Sequence, residues 1–152
     1  MEPILRLSVA SGAMLQMRNF ASSGYPHEVC GILAGVRAAG GRPAHVREVV
    51  ELVNERADSP ANRYQVSGLL VHRAEEALER RGLEVVGYYH SHPDHPSRYS
   101  DYDRDHALPD MSYVIVSVCS GMVAHVASWR LSDDRTCMHP EQIETGDNPG
   151  LE

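Results

Sequence analysis

The 152-residue chain has no lysine; all 14 of its basic residues are arginine. That absence excludes a Schiff-base lysine, and with it pyridoxal-phosphate chemistry, as well as the lysine of a phosphate-binding P-loop. Cysteine is scarce. Cys30, Cys119 and Cys137 are odd in number and far apart, which argues against a disulfide framework and a Cys-x-x-Cys metal site and fits a reducing compartment. No apolar run approaches the ~18 residues of a membrane span, and no charged-then-apolar signal segment opens the chain. The expectation is a cytoplasmic protein with no membrane partner. Basic charge is also short: 21 acidic residues leave a net charge of −7, which argues against a nucleic-acid partner held by phosphate neutralisation.

What is present suits one globular unit. The length is close to the ~150 residues of a single domain, and 42% apolar against 23% charged residues is too apolar for a disordered chain. Ile4 to Val9 alternates apolar and polar residues as a strand does. Ser11 is placed to cap a helix with Met14, Met17, Phe20 and Ala21 on one face, ending near Gly24. Val29 to Val36 reads as a buried strand and His45 to Val53 as another, followed by a polar loop through Asn62. Ser67 opens a helix with Leu70, Ala74, Ala77 and Leu78 as its apolar stripe and Gly82 as its stop. Leu83 to Tyr89, Met111 to Cys119 and Met122 to Leu131 read as strands, the last two joined by a hairpin turn at Ser120-Gly121. The fold class is therefore mixed α/β, a mostly antiparallel or mixed sheet flanked by two or three helices. Residues 1–132 are expected to form the single domain and residues 133–152 a polar tail, whose final Leu151-Glu152 reads as a cloning remnant.

One segment carries chemistry. Tyr88-Tyr89-His90-Ser91-His92-Pro93 leaves a strand, and Ser100-Asp101-Tyr102-Asp103 begins a helix. On a strand, residues i and i+2 face the same side, so His90 and His92 aim at one point, and Pro93 ends the ladder. Asp103, in the first helical turn, can add an oxygen. Two His nitrogens and one carboxylate, with a water in the fourth position, is the donor set of a catalytic zinc site rather than a closed structural one. A His-x-His pair alone means little among nine histidines, and Ser-x-x-Asp also describes a helix capping box. The complete spacing His-x-His-x7-Ser-x-x-Asp is expected only about 0.003 times by chance in a chain of this composition. Rivals fare worse. His27-Glu28 opens like the helical His-Glu-x-x-His motif but meets Gly31, and a zinc deaminase needs Pro-Cys-x-x-Cys. Cys30 reads as core, and His106 as a candidate extra ligand or a partner of Asp103. Asp94 and His95 read as solvated loop residues. Tyr88, Tyr89, Tyr99 and Tyr102 should pack the site, while His45, His72, His125 and His139 read as surface or satisfied sheet residues.

The spacing resembles that of the JAMM (MPN-plus) metalloprotease family, in which a glutamate far upstream precedes the His-x-His-x7-Ser-x-x-Asp motif. Pro26-His27-Glu28-Val29-Cys30-Gly31-Ile32-Leu33-Ala34-Gly35 is similar to the segment around that glutamate. The resemblance implies the MPN/JAMM (cytidine-deaminase-like) fold, a Zn2+ cofactor held by His90, His92 and Asp103, Ser100 as donor to the developing oxyanion, and Glu28 as general acid/base. The implied reaction is hydrolysis of an amide or isopeptide bond without a covalent intermediate.

The short stretches between these motifs leave little room for the loops with which eukaryotic members recognise ubiquitin, and there is no second Cys/His cluster. The chain is thus more similar to compact prokaryotic members, which implies as partner a ubiquitin-like or sulfur-carrier β-grasp protein ending in Gly-Gly. The alternatives are a non-catalytic MPN-type scaffold, a DNA-repair-associated relative of the RadC type, and a general small-peptide hydrolase. All five motif residues are present, which disfavours the scaffold, and the net charge disfavours DNA.

Overall fold

The computed structural model describes residues 4–52 and 68–146. Among these residues seven strands and three helices follow in the order β1 (Arg6–Val9), α1 (Ser11–Gly24), β2 (Cys30–Val36), β3 (Ala44–Leu52), α2 (Gly68–Arg80), β4 (Glu84–Pro93), α3 (Asp101–His106), β5 (Ser112–Cys119), β6 (Met122–Leu131) and β7 (Met138–Thr145). The sheet order is β1-β3-β2-β4-β5-β6-β7, and β1 pairs with both β3 and β7, which joins the two ends of the sheet. β1 runs parallel to both of these neighbours and β4 runs parallel to β5; the other pairs are antiparallel. The expected mixed sheet flanked by helices is what forms. Among the described residues no helix is long and apolar enough to cross a membrane.

The core explains the element pattern. On one face α1 buries Ala13, Met17 and Ala21 against Leu33, Val46, Tyr89, Val114, Val116 and Val118, with Met14 and Phe20 packed at its edge. On another, Leu78 of α2 meets Ile32, Ala34 and Leu83. A third cluster, Ala107, Tyr113, Leu131 and Met138 with Tyr88, Tyr99 and Trp129, lies beside α3. The central strands β2 and β5 are covered on both faces, so they read as near-continuous apolar runs.

Several expectations hold and several are corrected. The Ser120-Gly121 turn has φ of 51° and 82°, the two positive angles that a tight hairpin turn requires. Gly82, at φ 75°, closes α2, with Gly82 N–H donating to Glu79 and Leu83 N–H to Leu78. Ser11 does not cap α1. The cap residue is Ala10, without a side-chain bond, because Ala10 N–H is drawn to the Val46 carbonyl at 2.8 Å and the helix starts directly from that rung. Ala77 is exposed, so α2 rests on a narrower stripe than expected. The stretch read as a polar tail from Asp133 contains β7, whose pairing with β6 and β1 makes use of backbone groups that its side chains do not advertise. Ser67, the loop through Asn62 and the terminal Leu151-Glu152 lie outside the described residues.

β4 approaches β5 so closely that a Cβ on Gly87 would lie 1.8 Å from the Ser112 carbonyl oxygen. Backbone cannot yield as a side-chain tip can. Gly87→Ala is expected to cost roughly 1–3 kcal/mol of unfolding free energy, read by urea denaturation; an unchanged midpoint would show that the two strands separate freely.

Candidate metal and catalytic site

β4 carries His90 and His92 to the end of the sheet, in register with Ile115 and Ser117 of β5, while Cys30 of β2 lies opposite His90. α3 begins where the chain returns over that end. Ser100 is its cap: Ser100 Oγ accepts from Asp103 N–H at 3.1 Å, and Asp103 Oδ2 accepts from Ser100 N–H at 2.8 Å. Capping and display of the carboxylate are thus one arrangement, since the reciprocal bonds fix where Asp103 points.

The three side chains meet. Their donor atoms all lie within 4.8 Å of one another. His90 Nε2 is 3.1 Å from His92 Nε2 and 3.2 Å from Asp103 Oδ1, and His92 Nε2 is 3.5 Å from Asp103 Oδ2. Ligand atoms around a tetrahedral centre with bonds of about 2.0–2.1 Å would be roughly 3.3 Å apart. The nitrogen-nitrogen-oxygen set therefore fits a zinc-sized cation in both spacing and chemistry. His92 Nδ1 lies 2.8 Å from the Pro96 carbonyl, which fixes the proton on that nitrogen and leaves the Nε2 lone pair facing the cluster.

Electrostatics follow from this crowding. Burial alone would raise the Asp103 carboxyl, but hydrogen bonds with His90 and His92 outweigh it and hold the group well below the usual carboxylate range. Burial likewise pushes His92 down, yet its bond to Asp103, the Pro96 carbonyl and the charges of Asp103 and Glu28 leave it raised. Glu28, just ahead of β2, is buried, and its charge acts on both His92 and Cys30. Burial, with Glu28 and Glu51 beside it, pushes the Cys30 thiol up to about 12, which makes this cysteine a core residue and a poor nucleophile.

Other residues singled out from sequence fall into place. His106 is exposed; its Nδ1 lies 2.9 Å from the Tyr102 carbonyl and its ring stacks on Tyr102 at 4.0 Å, apart from the three-residue group. Tyr88 stacks on Tyr113 and Tyr99 meets the edge of Trp129 in the cluster beside α3, whereas Tyr89 is fully buried under α1 on the face of β4 opposite His90 and His92, so it packs the core and not the site. His45 is paired with Ser8, His72 with Glu76 and His125 with Ser97, and His139 is exposed. Asp94 is not simply solvated: it accepts from Tyr25 Oη at 2.6 Å and from Ser120 N–H at 3.2 Å.

Ser91 was missed. It is buried between the two histidines but faces the other side of β4, where its Oγ accepts from Val29 N–H and its own N–H donates to the Val29 carbonyl, both at 2.9 Å. A small hydroxyl residue at the buried centre of His-x-His was the available signal.

Residues 10–132 match the family described as prokaryotic homologues of the JAB domain. Over 125 residues the chain is 34% identical to a desampylase of Haloferax volcanii, covering 79% of this chain and 86% of the relative. It is also 34% identical over 111 residues to a probable TtuB-protein conjugate cleaving protease of Thermus thermophilus, covering 73% of this chain and 70% of the relative. A Salinibacter ruber protein solved in solution shares 34% identity at a TM-score of 0.72, covering 93% of this chain and 92% of its own. A JAB1/MPN domain protein of Archaeoglobus fulgidus shares the fold at a TM-score of 0.56 and 19% identity, covering 92% of this chain and 99% of its own.

The two shifts give the metal-free chain a pH window. A carboxyl held low stabilises the fold above about 3.9 and loses that contribution as pH falls toward its folded value; an imidazole held high stabilises below about 6.5 and loses it as pH rises through its folded value. In chelator-treated protein the stability difference between the parent and Asp103→Asn, read by urea titration, is therefore expected to be largest between about pH 4 and 6.5 and to shrink on either side. A difference that climbs steadily from pH 6 to 8 would contradict the coupling.

Proposed function

The chain belongs to the prokaryotic JAB-domain family, and from that premise we propose that it is a zinc-dependent peptidase or isopeptidase acting at the C-terminal Gly-Gly tail of a ubiquitin-like β-grasp protein. The observation that carries this reading is the meeting of His90, His92 and Asp103 at tetrahedral spacing beside a buried Glu28. The relatives named for conjugate cleavage supply the substrate class. Three free cysteines, none paired, suit a cytoplasmic setting.

His90, His92 and Asp103 would hold the ion. When bound, zinc supplies Lewis acidity, which makes a water acidic near neutral pH and polarises a carbonyl. The chain's own groups do the rest. Glu28 takes the proton from the attacking water and returns it to the leaving amine, a shuttle worth roughly 10²- to 10⁴-fold. Ser100 Oγ uses a lone pair to cap α3, which leaves its O–H free to donate to the carbonyl oxygen as negative charge gathers there. Pro96 holds the His92 ring in one orientation.

The test is intact-mass spectrometry of small β-grasp carriers that bear residues beyond Gly-Gly, incubated with zinc-loaded protein. The expected result is a mass loss equal to those extra residues, slowed by about 10²-fold or more in Glu28→Gln that still folds and binds zinc. Equal rates for the two proteins, or cuts away from Gly-Gly, would overturn the proposal.

A further inference from the structure

Glu28 sits on a short arch between α1 and β2, and the structure fastens that arch at two feet to the segment that bears the histidines. The inner foot is Val29, whose backbone N–H and carbonyl both bond to Ser91, between His90 and His92. The outer foot is Tyr25, whose hydroxyl donates to Asp94 Oδ2 at 2.6 Å, two residues past His92. Asp94 is itself fixed. Its N–H donates to the Val118 carbonyl at 2.7 Å, and its second oxygen accepts from Ser120 N–H at 3.2 Å, in the β5–β6 turn. The Ser22 hydroxyl donates to the Gly121 carbonyl of the same turn, which ties the end of α1 to it as well. The arch is tight in between: His27 N–H donates to the Gly24 carbonyl at 2.9 Å, and a Cβ on Gly24 would lie 2.2 Å from Val29 Cγ1.

We propose that Tyr25 and Asp94 are positioning residues, joined by one hydrogen bond that holds the Glu28 arch at a fixed distance from the His90–His92 segment. The proposal rests on the reading of Glu28 as the proton shuttle. Without the Tyr25–Asp94 bond the outer end of the arch is held only through Ser22, three residues back, so residues 25–28 can shift relative to Val29. A shift of about 1 Å in such a group can cost up to 10²-fold in rate while substrate binding elsewhere is untouched. The bond is on the surface, so its loss removes little global stability. Its effect is local.

Tyr25→Phe removes only the hydroxyl. Asp94→Gly is the partner variant, since glycine removes both carboxylate oxygens and accepts the positive φ of 57° found here. The expected result for Tyr25→Phe is a kcat about 10-fold lower or less, with KM, zinc affinity and Tm unchanged, and faster amide hydrogen exchange confined to residues 27 and 28. In the double variant Tyr25→Phe adds nothing further to the loss caused by Asp94→Gly, as two partners of one bond require. Unchanged kcat and exchange in Tyr25→Phe would overturn the proposal, and so would a loss confined to KM or Tm. If the parent protein cuts no carrier, the functional reading fails by itself, and the exchange measurement still decides whether the bond holds the arch.

Discussion

β4 can aim two imidazoles at one point only because its register is held on both sides, against β2 from Cys30 to Gly35 and against β5 from Gly87 to Pro93. A slip of one residue would turn His90 and His92 to the other face and bring Ser91 into their place. The same register places Val29 against Ser91 and so brings Glu28 to the histidines from a different part of the chain. Close approach at Gly87 keeps β4 from drifting away from β5. The site is thus a consequence of strand pairing rather than of loops folded over a surface.

Asp103 completes the group by another route. α3 has six residues and, apart from the Asp103 carboxylate, little of it is buried, so its position depends on its ends and its neighbours. The capping box fixes the first turn, and Ala107 anchors the far end in the cluster with Tyr113, Leu131 and Met138. The connecting loop is bonded at three successive carbonyls: Ser117 Oγ donates to His95, the Pro96 carbonyl faces His92 Nδ1, and Trp129 Nε1–H donates to Ser97. Each of these partners lies on the sheet. A carboxylate and two imidazoles gathered with little water would be costly without compensation, and their mutual hydrogen bonds supply it.

Much of this was legible in the sequence because it is written in short-range spacing. His90 and His92 share a face by strand period, and Ser100 and Asp103 form a box by helix period; a pattern match needs no knowledge of tertiary contacts. Glu28 was reached only through the JAMM resemblance, since nothing local joins it to residues 62 or more positions away. Features set by partners stayed hidden. β7 has a polar face and becomes a strand because β6 and β1 both offer it hydrogen bonds. Asp94 looked like a loop residue because its partners, Tyr25 and Ser120, are distant in sequence. Ser11 has the chemistry of a cap but lost the position to Ala10, whose backbone is tied to β3.

The central claim is that one ion is held by His90, His92 and Asp103 and by no sulfur. X-ray absorption at the zinc edge of the reconstituted protein tests it most directly. The account predicts one ion per chain, with two imidazole nitrogens and oxygen ligands at about 2.0–2.2 Å. A scattering shell at about 2.3 Å, the distance of a thiolate, or the lack of stoichiometric zinc would contradict it.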